Sequence, residues 1–151
     1  MKKTTIFFLA VLLASCTQNK ILKHPLDKSQ SKTVVLDNGL KVDLLSDPSF
    51  NVSAASVSVE VGSLDNPNER QGLAHFLEHM LFLGTEKYPD VDEYSSYLKT
   101  HGGYSNAYTA SDHTNYQFQV LPDGFEGALD RFSQFFISPL FTEEYTSREV
   151  N

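Results

Sequence analysis

Between residues 33 and 45 the apolar positions crowd into two short segments, 33–36 and 40–45, on either side of Asp37-Asn38-Gly39. An Asn-Gly pair supplies the positive φ of a tight turn, so these segments predict a β-hairpin. Residues 52–61 alternate valine with small or polar residues, which places Val57, Val59 and Val61 on one face of a half-buried strand. After a polar, turn-rich stretch over 62–71 the period becomes helical: Leu73, Phe76, Leu77, Met80 and Leu81 predict a mostly buried helix. A second helix is expected over 92–101, capped by Asp90 or Asp92 and ended by Gly102-Gly103. Strands follow at 104–109 and 114–121, the second alternating Tyr116, Phe118 and Val120 against Asn115, Gln117 and Gln119. Pro122-Asp123 opens an amphipathic helix through Phe125, Leu129, Phe132 and Phe136, stopped at Pro139, and a last helix begins near Thr142 and is still running at Asn151.

Strands and helices therefore come in local groups rather than in strict alternation, which predicts an α+β fold built on a largely antiparallel sheet with helices packed on one face. A length of 151 residues, 40% hydrophobic and 21% charged, suits one ordinary domain. The first residues are set apart from it. Lys2 and Lys3 precede an apolar run over 6–13 and then Ala14 and Ser15, the layout of an export signal. That run is shorter than the roughly 20 residues a membrane-spanning helix needs. Leu13-Ala14-Ser15-Cys16 resembles the bacterial lipobox, which implies cleavage before Cys16, acylation of its thiol and a membrane anchor in the cell envelope. Thr17, where an aspartate would retain such a protein at the inner membrane, points to the outer one. Residues 16–31 are expected to be a polar tether. Cys16 is the one cysteine, so the chain forms no intramolecular disulfide. Without residues 1–15 there are 10 basic against 19 acidic side chains, a net charge of −9, and nucleic acid is excluded as a partner on that ground.

The chemistry lies in His75-Phe76-Leu77-Glu78-His79. Histidines at i and i+4 project from one side of a helix and can reach a single metal ion, and Glu78, three residues after His75, could accept a proton from a water on that metal. Titratable groups in an apolar helix are costly unless paired or metallated. A structural zinc would need a further Cys or His ligand, and the cysteine is in the signal region.

His-x-x-Glu-His is the inverted zincin motif. Its surroundings, Gly72-Leu73-Ala74-His75-Phe76-Leu77-Glu78-His79-Met80, resemble the insulysin and pitrilysin family of metallopeptidases. Gly102-Gly103-Tyr104-Ser105-Asn106-Ala107-Tyr108-Thr109 is similar to that family's substrate-pairing edge strand, His113-Thr114-Asn115-Tyr116 to the strand after it, and Arg148-Glu149-Val150-Asn151 to the start of its next signature helix. The resemblance implies a metallopeptidase half-domain over 32–151, with His75 and His79 as ligands of one Zn2+ and Glu78 as general base. It also implies that Glu149 supports the site from outside the ligand set and that a peptide substrate lies along Asn106 and Ala107. An extended peptide does gain affinity by main-chain pairing with a free sheet edge. The family's third zinc ligand is a glutamate about two helical turns beyond Glu149, and its members carry a second, homologous half. Neither lies within these 151 residues, so the expectation is a truncated piece that holds zinc weakly and cleaves little alone. The competing expectation is a non-catalytic peptide-binding or partner subunit of the same fold, against which the retained His75, Glu78 and His79 speak.

Overall fold

Gly39, at φ 86°, turns the chain between strands β1 (Gln30–Val35) and β2 (Lys41–Ser46), which pair antiparallel from Gln30↔Ser46 to Val35↔Lys41. The structure is a computed structural model and describes residues 23–150, with side chains as far as Arg148. In the turn the Gly39 amide donates to the Leu36 carbonyl at 2.8 Å and the Leu36 amide to the Leu40 carbonyl at 2.9 Å. Asn38 does not share the positive φ, so this is a three-residue loop with glycine in its left-handed position rather than a two-residue Asn-Gly turn. Strand β1 begins inside the stretch expected to be tether. Its first residues carry no apolar pattern and are held extended by pairing, Gln30 with Ser46 and Ser31 with Leu45.

The chain divides into two units, Met1–Pro48, which holds this hairpin, and Ser49–Asn151. In the second unit β3 (Ser53–Val59), β4 (Tyr104–Thr109) and β5 (Thr114–Val120) form a sheet in the order β3-β5-β4, antiparallel at both junctions. The two-residue period sorts its faces. Thr114, Tyr116, Phe118 and Val120 are buried, flanked in register by Ala55 and Val57 on one side and by Ser105, Ala107 and Thr109 on the other. Ser56, Ser58, Asn106 and Gln117 stand exposed on the opposite face. The β3 expectation ran too long at its end. The chain leaves its pairing after Val59 and turns, the Val61 amide donating to the Val59 carbonyl, so Val59 and Val61 are exposed.

Four helices follow: α1 (Leu73–Met80), α2 (Glu93–Thr100), α3 (Phe125–Gln134) and α4 (Glu143–Val150). The core lies on the buried face of the sheet, where Tyr94 and Leu98 of α2 and Ala128 and Phe132 of α3 meet Tyr116, Phe118 and Val120, with Leu81 and Phe135 completing it. Helix α2 ends on Gly102, at φ 64°, with the Gly103 amide returning to the Leu98 carbonyl at 2.7 Å, a left-handed C-terminal cap. Gly103 then enters β4 so close to β5 that a Cβ there would lie 2.1 Å from the Gln119 carbonyl oxygen. Helix α3 stops at Gln134, short of Pro139, because the backbone is drawn into pairing with the 84–86 segment. Ser138 accepts from the Glu86 amide and Leu140 donates to the Gly84 carbonyl, both at 3.0 Å. Among the described residues no helix is long and apolar enough to cross a membrane.

Helix α1 departs from its expected burial. Ala74 and Glu78, with Leu81 just past the helix end, form the inward stripe and Met80 is enclosed, whereas Leu73 and Leu77 are each 42% exposed. An eight-residue helix lying against a sheet can cover one stripe only, and here that stripe runs through a carboxylate rather than through the leucines.

Candidate metal centre

Asn66 sets the start of helix α1. Its Oδ1 accepts from the Ala74 amide at 2.9 Å, satisfying a donor that Gly72, as N-terminal cap, has no side chain to meet. Asn66 is itself held by the 3-10 turn Ser63–Asp65, which is clasped onto the β4–β5 turn. Ser63 and Leu64 donate to the carbonyls of Ala110 and Ser111, each at 2.9 Å, and Asp65 Oδ2 accepts from the Gly62 amide at 2.8 Å. Thr114 ties the same loop down by donating to the Val61 carbonyl at 2.8 Å. The helix is thereby fixed to the end of the sheet where β4 turns into β5.

One turn of α1 separates His75 from His79, and their rings meet edge to face with centroids 4.6 Å apart. The two Nε2 atoms lie 3.0 Å apart. Two imidazoles on one tetrahedral zinc, each at 2.0–2.1 Å, would hold their nitrogens about 3.3 Å apart. The spacing present fits that requirement closely. Both histidines are exposed, so the case for a metal rests on this convergence of two ring nitrogens and not on the burial expected for the helix. Ligand atoms of His75, Glu78 and His79 all lie within 4.8 Å of one another.

Glu78 is the buried member, 7% exposed. Its Oε2 accepts a hydrogen bond from Thr109 Oγ1 at 2.5 Å, a charge-assisted contact that leaves the other carboxylate oxygen unengaged by that donor. Burial first, and the negative charge of Glu78 second, push the Tyr116 phenol up to about 12. Neither Thr109 nor Asn66 is recognisable from sequence as part of the site. Thr109 does sit on the inward parity of β4 with Ser105 and Ala107, and that pattern was the available signal.

Among the other residues singled out from the sequence, Asn106 and Ala107 lie on β4, paired with Gln117 and Tyr116. Their side chains part company: Ala107 packs against the core and Asn106 is exposed on the far face. Among the described residues β4 is an edge of its sheet, and it runs beside α1. The backbone at 106–107 thus lies along the edge strand that runs beside α1, while the Asn106 side chain is on the exposed face of the sheet. Helix α4 rests against α1, but the Glu149 side chain lies outside the described residues, as does Cys16.

The chain is similar to known proteins over most of its length. The family described as Insulinase (Peptidase family M16) matches residues 41–151. The chain is 53% identical over 133 residues to insulin-degrading enzyme of Homo sapiens, covering 88% of this chain and 13% of that protein. It is 52% identical over 130 residues to A-factor-processing enzyme of Saccharomyces cerevisiae, covering 86% and 13%. The crystal structure of pitrilysin superposes with a TM-score of 0.82 at 43% identity, over 89% of this chain and 14% of that one. The chain thus spans about one-seventh of the length of these relatives.

Proposed function

Because the chain belongs to the insulinase family of peptidases, family M16, we propose that the intact protein is a zinc-dependent metalloendopeptidase, with His75 and His79 as two of its zinc ligands and Glu78 as its general base. The observation that carries this reading is the 3.0 Å approach of the two Nε2 atoms with a carboxylate one helical step away. A zinc ion, when bound, lowers the pKa of a coordinated water from 15.7 to about 7 and polarises a carbonyl oxygen. The residues of the chain do the rest. The imidazoles present their Nε2 atoms on the exposed side of α1, and Glu78, held at Oε2 by Thr109, receives a proton on its carboxylate and passes it to the departing amine. Strand β4 supports an extended peptide through its edge at Asn106 and Ala107, the two residues offering main-chain groups rather than a shared side-chain face. Glu149, on the helix that lies against α1, supports the ligands from outside.

Peptides of the bacterial cell envelope are the proposed substrates, and the lipobox-like Leu13-Ala14-Ser15-Cys16 supports anchoring there through an acylated Cys16. A catalytic zinc takes three protein ligands and a water. Residues 1–151 taken alone offer the two imidazoles, so that isolated polypeptide is expected to hold zinc weakly and cleave little. The test uses the intact protein. Glu78→Gln abolishes cleavage of an unstructured peptide with zinc content unchanged, whereas His75→Ala or His79→Ala loses the metal. Zinc lost in Glu78→Gln and kept in a histidine variant would overturn the assignment.

A further inference from the structure

We infer that Thr109 is the positioning residue for Glu78, fixing the orientation of a carboxylate that lies within 4.8 Å of the histidine ring nitrogens. This inference rests on the reading of Glu78 as general base and adds a residue that the histidine–glutamate motif does not contain. Glu78 is buried and Thr109 Oγ1 donates to its Oε2 at 2.5 Å. A glutamate has three side-chain torsions, and its terminal one is broad, so burial alone does not fix which oxygen points outward. A single directional donor does. The donor is also neutral: a lysine or arginine in its place would orient the carboxylate but would weaken it as a proton acceptor.

Thr109 is itself well fixed. It is paired with Thr114 across the β4–β5 ladder, at the end of the sheet to which the Asn66 loop is clasped. Its β-branched side chain is restricted at χ1, so the hydroxyl has little freedom to leave Glu78. The acceptor stands on α1 and the donor on β4, and the contact therefore sets the depth of the helix against the strand as well as the torsion of the carboxylate. A base misplaced by about 1 Å costs on the order of a hundredfold in rate.

Three variants of the intact protein test this: Thr109→Val, which keeps the shape and strand preference without the hydroxyl; Thr109→Ser, which restores it; and Glu78→Gln. In Thr109→Val, kcat on an unstructured peptide is expected to fall about ten- to a hundredfold, the value of one hydrogen bond to a charged group. KM and zinc content stay at wild-type levels. Crystals of the metal-free variants give the second readout, with the Glu78 carboxylate rotated or split in Thr109→Val and single in Thr109→Ser, whose kcat returns to within about threefold of wild type. Equal losses in the valine and serine variants, or an unmoved Glu78 in Thr109→Val, would overturn the inference. So would a wild-type kcat in Thr109→Val beside an inactive Glu78→Gln, which leaves the general-base reading intact. Full activity in Glu78→Gln removes that reading and this inference together.

Discussion

Adding one methyl group at Gly62 should loosen helix α1 from a distance. Gly62 is buried where the 61–66 loop crosses the β4–β5 turn, and a Cβ there would stand 2.5 Å from the carbonyl carbon and oxygen of Ser111 and 2.6 Å from the Ala110 oxygen. All three are backbone atoms, so no side chain can swing aside. Its φ of −136° suits any residue, and the penalty is therefore purely steric. Relief requires the two segments to separate, which stretches the bonds from Ser63 to Ala110 and from Leu64 to Ser111. Overpacking of this kind costs about 1–3 kcal/mol and each weakened hydrogen bond about 1 kcal/mol. With partial relaxation, about 2–3 kcal/mol is expected for Gly62→Ala. Because the loss is local, amide hydrogen exchange is a better assay than a melting curve. At 1.4 kcal/mol per factor of ten, amides of residues 63–66 should exchange roughly 30- to 150-fold faster. Those of α1 should follow in part, since Asn66 carries the disturbance to the Ala74 amide. Exchange within about threefold of wild type across 63–66 would refute the reasoning.

Phe132, 2% exposed and ringed by Phe118 at 5.1 Å, Phe136 at 5.5 Å and Phe135 at 5.7 Å, should cost about 3–5 kcal/mol on replacement by alanine. That loss is read as a lower denaturant midpoint of the first unfolding step, and a change below about 1 kcal/mol would contradict the assigned core. Tyr116 titrates at about 12 when folded against an ordinary 10, so its contribution is complete below pH 10 and is lost as pH rises from 10 toward 12. Melting temperatures over that window should fall less steeply in Tyr116→Phe than in wild type, and equal slopes would count against it. Cys16→Ser should move the intact protein from membranes to the soluble envelope fraction, and unchanged partitioning would reject the anchor.

Local patterns carried most of the architecture. Strand β4 lies where its residues place it, and α2 ends on Gly102-Gly103 as the sequence suggests, because cap and turn chemistry is settled by neighbours in the chain. The spacing of His75, Glu78 and His79 was equally legible, since one helical turn fixes it. Burial along α1 was misjudged because Leu73 and Leu77 look like core residues by type. Which stripe of a short helix turns inward is decided by the sheet beneath it, here by Ala74 and Glu78. Thr109 and Asn66 were illegible for a related reason. Each acts on α1 through a partner that its own neighbours in the chain do not name: Thr109 lies 31 residues from Glu78 and Asn66 lies 8 from Ala74, and the parity of β4 shows only that Thr109 faces inward.

Strand β4 keeps two sets of side chains strictly apart by odd and even position. Ser105, Ala107 and Thr109 look toward the helices, and Tyr104, Asn106 and Tyr108 look away. The outward set is free to change with little consequence for the carboxylate behind it. A single-residue insertion or deletion between 105 and 108 is another matter, because it exchanges the two sets from that point on. Either the hydroxyl that meets Glu78 is carried to the solvent side, or the pairing with β5 slips to retain it. Length, more than composition, is thus the property of this strand on which the glutamate contact depends.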